Sequence, residues 1–101
     1  MKAIYIIYII IAWVTLPVMA ADAAAGAEKI STCAACHGID GQATAGIYPN
    51  LAGQPAAYLD MALKAYREGQ RSGGMSAVMT PQAVNLSDED IADISAYYSE
   101  Q

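Results

Sequence analysis

Cys33-Ala34-Ala35-Cys36-His37 is the stretch on which the reading of this chain turns. It holds both cysteines and the only histidine, so all the thiol and imidazole chemistry of the protein sits in five consecutive residues. Two thiols three residues apart followed directly by an imidazole form the attachment pattern of c-type haem. Both thiols can add to the vinyl groups at one haem edge, and the adjacent imidazole is carried onto an axial position of the iron. Zinc wants four ligands, and only three of the soft type are present. A thioredoxin-like redox pair needs a strand–helix–strand setting that the surrounding pattern lacks. A disulfide between Cys33 and Cys36 closes too short a loop to stabilise much.

The N-terminus sets the compartment. Met1-Lys2 is followed by an apolar run from Ala3 to Leu16, which lifts the mean hydropathy of the chain to +0.27. Pro17 interrupts it, and Val18-Met19-Ala20 supplies small residues at cleavage-site positions. This pattern predicts a secretory signal peptide over residues 1–20, cut after Ala20 or Ala21, and export to the periplasm. The competing reading is an uncleaved membrane anchor, since Ala3 to Ala21 is uncharged and reaches the lower range of a spanning helix.

The remaining domain, residues 21–101, is small for a self-sufficient core and needs a staple, which only the Cys/His cluster offers. It carries four basic side chains (Lys29, Lys64, Arg67 and Arg71) against ten acidic ones, a formal charge of −6. That balance argues against nucleic-acid binding and for steering toward protein partners with basic docking faces. No strand-like alternation runs for any length, so the expected class is all-α. Asp22 caps a first helix from about Ala23 to Ala35, with Gly26 on its face for close approach of another helix. Pro55 opens a second and Gly69 stops it, with Leu59, Ala62, Leu63 and Tyr66 as its stripe and Asp60, Lys64 and Glu68 as a charge ladder. Ser87 caps the last helix, with Asp90 as capping-box partner and Ile91, Ile94 and Tyr98 as its apolar stripe. Residues 38–53 and 70–85 read as two long loops. Loops of that length in so small a domain line a site.

These segments resemble the class I c-type cytochromes of the small bacterial periplasmic kind. The resemblance rests on Cys33 to Gly38, on Tyr48-Pro49-Asn50-Leu51-Ala52-Gly53-Gln54, on Tyr58-Leu59, and on Leu86 to Ile94 followed by Ala96-Tyr97-Tyr98. It implies a cytochrome c fold, with three main helices and two long loops around one covalently attached haem c. Cys33 and Cys36 would form the thioethers, and His37 would be the proximal iron ligand. Pro49 matches the proline whose backbone carbonyl accepts the His37 N–H. Gly26 and Tyr97 match the crossing of the first and last helices. Met79, before Thr80-Pro81 and seven residues ahead of Leu86, matches the distal ligand, with Met75 the second choice. Tyr48 and Tyr58 are expected in the haem crevice, and Arg71 is expected to face a propionate.

Two protein ligands close the iron to substrates and leave no spare base. The expected function is therefore one-electron carriage by a monomer in a respiratory chain, not enzymatic catalysis. Contact with a membrane would come only through partners or an uncleaved N-terminus. The competing functions are a haem subunit of a larger oxidoreductase and a ligand-binding or peroxidatic haem protein.

Overall fold

In the computed structural model the described residues are 1–14 and 20–101. Residues 1–14 carry no helix or strand, and their apolar side chains are exposed. Pro17 and the Val18-Met19 part of the expected cleavage site lie outside the described residues. Among the described residues, no helix is long and apolar enough to cross a membrane.

Five helices follow in order among the described residues, with no strand: α1 Ala23–Ala27, α2 Ser31–His37, α3 Ala56–Arg67, α4 Ser76–Ala83 and α5 Asp88–Ser99. The three expected helical regions are present, but the first is two helices rather than one. Asp22 caps α1 as expected, its carboxylate accepting from the Ala24 and Ala25 N–H groups at 2.9 and 3.2 Å. The chain then turns at Glu28 and Lys29 and restarts at Ser31. Gly26 sits against α5 before this turn, and Ile30 enters the core after it. An ideal Cβ on Gly26 would stand 2.0 Å from the Asp93 carbonyl oxygen and 2.9 Å from the Tyr97 Cβ, so only glycine fits this crossing. Ile30 is buried and packs with Leu59, Ile94 and Tyr98. Each large side chain in that cluster contributes roughly 1.5–3 kcal/mol of burial.

Lys29 fixes the turn. Its ammonium lies 2.8 Å from Asp93 Oδ2 and 3.0 Å from Asp90 Oδ1, while the Asp22 N–H donates to Asp93 Oδ1 at 2.8 Å. Asp93 is thereby buried with every oxygen engaged. The hydrogen bond from Lys29 holds both carboxyls below the usual range, and the two carboxylates, Asp93 first, hold the lysine above its own.

Helix α3 ends as glycine at position 69 predicts. Gly69 adopts φ 70°, its N–H reaches the Tyr66 carbonyl, and the Gln70 N–H reaches the Ala65 carbonyl at 2.8 Å. This is the paired closure of a left-handed glycine stop. Pro55 stands one residue earlier than expected, at the cap. Of the charge ladder, Asp60–Lys64 forms at 2.8 Å, but Glu68 pairs with Arg67 instead. Helix α5 carries the expected capping box, with Ser87 Oγ accepting from the Asp90 N–H at 3.0 Å and Asp90 Oδ2 from the Ser87 N–H at 3.1 Å.

Helix α4 corrects the reading of 70–85 as loop. Gly73, Gly74 and Pro81 argue against a helix, yet eight residues wind into one. Pro81 forfeits a single bond, the one its N–H would have given to Ala77. Thr80 Oγ1 donates to the Ser76 carbonyl, and the Val84 N–H donates to the Thr80 carbonyl. Ala83, fully buried, anchors the far end. Helices α1 and α3 pack on α5, and α4 packs on α3.

Candidate functional site

The helix restart at Ser31 aims α2 at a cavity of about 440 Å³, a size suited to a cofactor. Cys33 and Cys36, one turn apart on α2, both line it. Both are free thiols and half-buried. Desolvation pushes the Cys33 thiol above its ordinary value.

His37 is the last residue of α2 and is buried. Gly38 follows with φ 81°, which turns the chain back at once. The loop after it folds on itself: the Leu51 N–H donates to the Gly41 carbonyl at 2.8 Å, and the Ala43 N–H to Asn50 Oδ1 at 2.7 Å. That folding brings the Pro49 carbonyl to 2.8 Å from His37 Nδ1. A carbonyl can only accept, so Nδ1 is the donor. In the neutral ring Nε2 then keeps its lone pair. A backbone acceptor of this kind orients a metal-binding imidazole and makes it more basic.

The other walls come from α3, α4 and α5. Leu59, Ala62 and Tyr66 face the cavity from α3, and Ile94 and Tyr98 from α5. Helix α4 and its cap present Met75, Val78, Met79 and Gln82. Every residue proposed from the sequence for this site lines it: Cys33, Cys36, His37, Tyr48, Pro49, Tyr58, Arg71 and Met79, with Met75 as well. Tyr48 sits beside His37, with ring centroids 6.5 Å apart, and the neighbouring Cys36 side chain holds its phenol above the ordinary value. Met61 is largely exposed on α3 and is not part of the site.

Sequence reasoning missed Tyr98 as a site residue. It is buried, lines the cavity, and donates its hydroxyl to the Gly38 carbonyl at 3.0 Å, so it pins the residue after His37. Tyr97 beside it donates to the Ile39 carbonyl. Tyr66 was missed too. Its membership of the α3 stripe was visible, but periodicity cannot separate a face buried on protein from one facing a cofactor.

The residues present fit a haem. The walls are mainly apolar, two unpaired thiols stand one turn apart at the edge, and an oriented imidazole and thioether-bearing side chains line the same space. A family model described as "Cytochrome c" matches residues 23–100. The chain belongs to the cytochrome c family. Covalently bound haem c is the cofactor of this family, and Cys33, Cys36 and His37 supply its motif. Cytochrome c-554(548) of Halomonas halodenitrificans is 68% identical over 82 residues, which cover 81% of this chain and 99% of that protein. Cytochrome c4 of Pseudomonas aeruginosa is 45% identical over 82 residues, but these make up only 39% of its length. The solved structure of Acidithiobacillus ferrooxidans cytochrome c4 superposes with a TM-score of 0.73 at 30% identity, covering 83% of this chain and 52% of that one. The cytochrome thus spans nearly all of the Halomonas relative and about half, or less, of the c4 relatives.

Proposed function

We propose that this cytochrome is an exported one-electron carrier in which His37 and Met79 ligate the iron of a single haem and Cys33 and Cys36 hold it through thioethers. The observation that carries the reading is the His37 Nδ1–Pro49 carbonyl bond of 2.8 Å at the edge of a cavity that Met79 also lines. Bound haem c supplies a one-electron couple at its iron. The chain's part is to fix that couple's surroundings. Pro49 holds the imidazole in one tautomer, and α4 presents a thioether, a ligand pair that raises the potential relative to harder sets. Tyr48 and Tyr58 form part of the crevice. With His37 committed to the iron, no free base remains in the site, and we read the protein as a carrier and not an enzyme.

Export to the periplasm follows from the signal-like residues 1–20. The match to the Halomonas cytochrome covers 99% of that protein with 82 residues, and the family model begins at residue 23, after the signal-like stretch. The partners are other redox proteins, and the acidic balance of the domain favours those with basic faces. A second reading, a haem subunit joined to a larger assembly, has one observation behind it: the c4 relatives carry a comparable unit within a chain about twice as long. Size exclusion of native extract separates the two, since a free species of the mature mass supports the monomeric carrier.

Visible spectra and intact mass test the site. The Met79→Ala holoprotein is expected to lose the thioether–iron absorption band that Met75→Ala keeps. The reverse pattern moves the ligand to Met75. A haem that is high-spin or binds carbon monoxide in the wild type overturns the carrier reading in favour of a ligand-binding or peroxidatic protein. The mass of the exported chain should equal residues 21–101 or 22–101 plus one haem.

A further inference from the structure

A second cleft, of about 380 Å³, shares no residue with the cofactor cavity. It lies between α3 and the first turns of α5, and Ala20 and Ala21 form its remaining wall. Three of its carboxylates are already matched within the fold: Asp60 by Lys64, Asp88 by Arg67 and Asp93 by Lys29. Glu89, exposed at the same cleft, has no ion-pair partner among the described residues. The backbone that follows Ala21 is fixed to the cleft floor. The Asp22 N–H donates to Asp93 Oδ1 at 2.8 Å, and Asp93 is only 3% exposed.

We propose that this cleft seats the N-terminus of the mature cytochrome, so that the α-ammonium made by signal removal, on Ala21 or Asp22, pairs with Asp93 and Glu89 and ties the start of α1 to α5. The inference rests on the export reading above and adds what the new terminus does. Hydrolysis by a signal-cleaving peptidase breaks one peptide C–N bond. Water gives its hydroxyl to the carbonyl carbon that leaves with the signal and a proton to the amine, which takes up a second proton near neutral pH. After a cut behind Ala21, the charged nitrogen is the atom that already stands 2.8 Å from Asp93 Oδ1. After a cut behind Ala20, it belongs to a residue that lines the cleft with Glu89.

Two effects oppose the pairing. Lys29 already shares Asp93, and the positive end of α5, worth about half a charge, faces the cleft. Lys64 and Arg67 are committed to Asp60 and Asp88. Against these stand Glu89, Asp90 in the same first turn of α5, and the carboxylate of Asp22 itself, so acidic groups around the terminus still outnumber basic ones.

An opposite charge within about 4–6 Å moves a pKa by about 1–3 units toward the charged form. With Asp93 shared and Glu89 open to water, the lower end applies. The α-amine should therefore titrate about 1 unit above its ordinary range of about 7.7–8.0, a tenfold gain in proton affinity. The test uses the reduced holoprotein from the periplasm, its amines dimethylated with isotope-labelled formaldehyde and titrated by NMR from about pH 6 to about pH 10, across the α-amine range. Lys29 and Lys64 are the only lysines of the domain, so the α-amine signal is readily assigned. Wild type is compared with Glu89→Gln and with a Gly-Ser insertion directly after the cut bond. The insertion carries the charge two residues outward while leaving the Asp22 N–H to bond Asp93 as an amide. It should return the amine to its ordinary range, and Glu89→Gln should remove part of the rise.

A wild-type amine inside the ordinary range, or one that titrates with the insertion variant, overturns the inference and leaves the haem and export readings standing. A Glu89→Gln amine unchanged from wild type takes Glu89 out of the pairing. Intact mass of the same sample reads the cut itself: a chain that keeps residues 1–20 overturns the cleavage reading and this inference with it.

Discussion

Replacing Gly26 by alanine tests the helix crossing on which the site is built. The added methyl would stand 2.0 Å from the Asp93 carbonyl oxygen, 2.6 Å from its carbon and 2.9 Å from the Tyr97 Cβ. Two of these atoms are α5 backbone and the third is rooted on it, so none can rotate away. Opening the shortest contact even to 3.0 Å requires α1 to back off by about 1 Å. That movement pulls on the Asp22 N–H and Lys29 bonds to Asp93, both 2.8 Å long. Alanine gains about 1 kcal/mol over glycine in helix propensity. Overpacking costs about 1–3 kcal/mol, and the upper end applies where backbone obstructs. The net is a loss of about 2 kcal/mol. At about 4–8 °C per kcal/mol for a domain of this size, the Tm falls by about 8–16 °C. Thermal unfolding of the holoprotein, followed by far-ultraviolet circular dichroism, measures it. Gly46→Ala is the control, because nothing lies within 4 Å of its Cβ position and its φ is not left-handed. It should leave the Tm unchanged or slightly raised through the unfolded state. A Gly26→Ala protein that melts with wild type, or no lower than Gly46→Ala, refutes the close-crossing argument.

Two further outcomes follow from the polar ties around the same helix. Asp90 and Asp93 have depressed folded pKa values, so their contribution is present above the unfolded value near 3.9 and is lost as pH falls through the folded ones. Lys29 has a raised one, so its contribution is complete below about 10.4 and is lost as pH rises through the folded value. Tm should therefore hold a plateau between those limits and fall on both sides. Asp93→Asn should lower the plateau and flatten both shoulders, and a variant curve parallel to wild type would count against the cluster. Tyr98→Phe removes the 3.0 Å hydrogen bond to Gly38 while keeping the buried ring. Calorimetry should show a loss of about 1 kcal/mol, or about 4–8 °C in Tm, with the Soret spectrum preserved.

The chemistry of the site was legible because it rests on residue identity at fixed spacing. Cys33, Cys36 and His37 are local in the chain and need no fold to be read together. The caps were legible for the same reason: Asp22, Gly69 and the Ser87/Asp90 pair act within four residues of themselves. What stayed hidden were the outcomes set by distant contacts. The break at Glu28–Ile30 has no glycine or proline to announce it. It exists because Asp93, 64 residues further on, holds Lys29 while Ile30 turns inward. Helix α4 ran against its own proline and the two glycines just before it, and it is stabilised by burial of Ala83 and by packing on α3. Tyr98 read as core because its hydroxyl's partner, Gly38, lies 60 residues away.

The group that orients His37 belongs to the backbone, and this has a consequence for how the protein tolerates change. No substitution at position 49 deletes a carbonyl, so the residue whose oxygen meets the imidazole can vary while the bond persists. Control of the ring passes instead to whatever shapes the loop: the Asn50 amide that receives the Ala43 N–H, and Gly41, whose φ of 76° and tight approach to Ala52 admit no side chain. Neither of these hydrogen-bonds to His37. In a saturation screen for coloured holoprotein, position 49 would look permissive, and positions 41 and 50 would look indispensable.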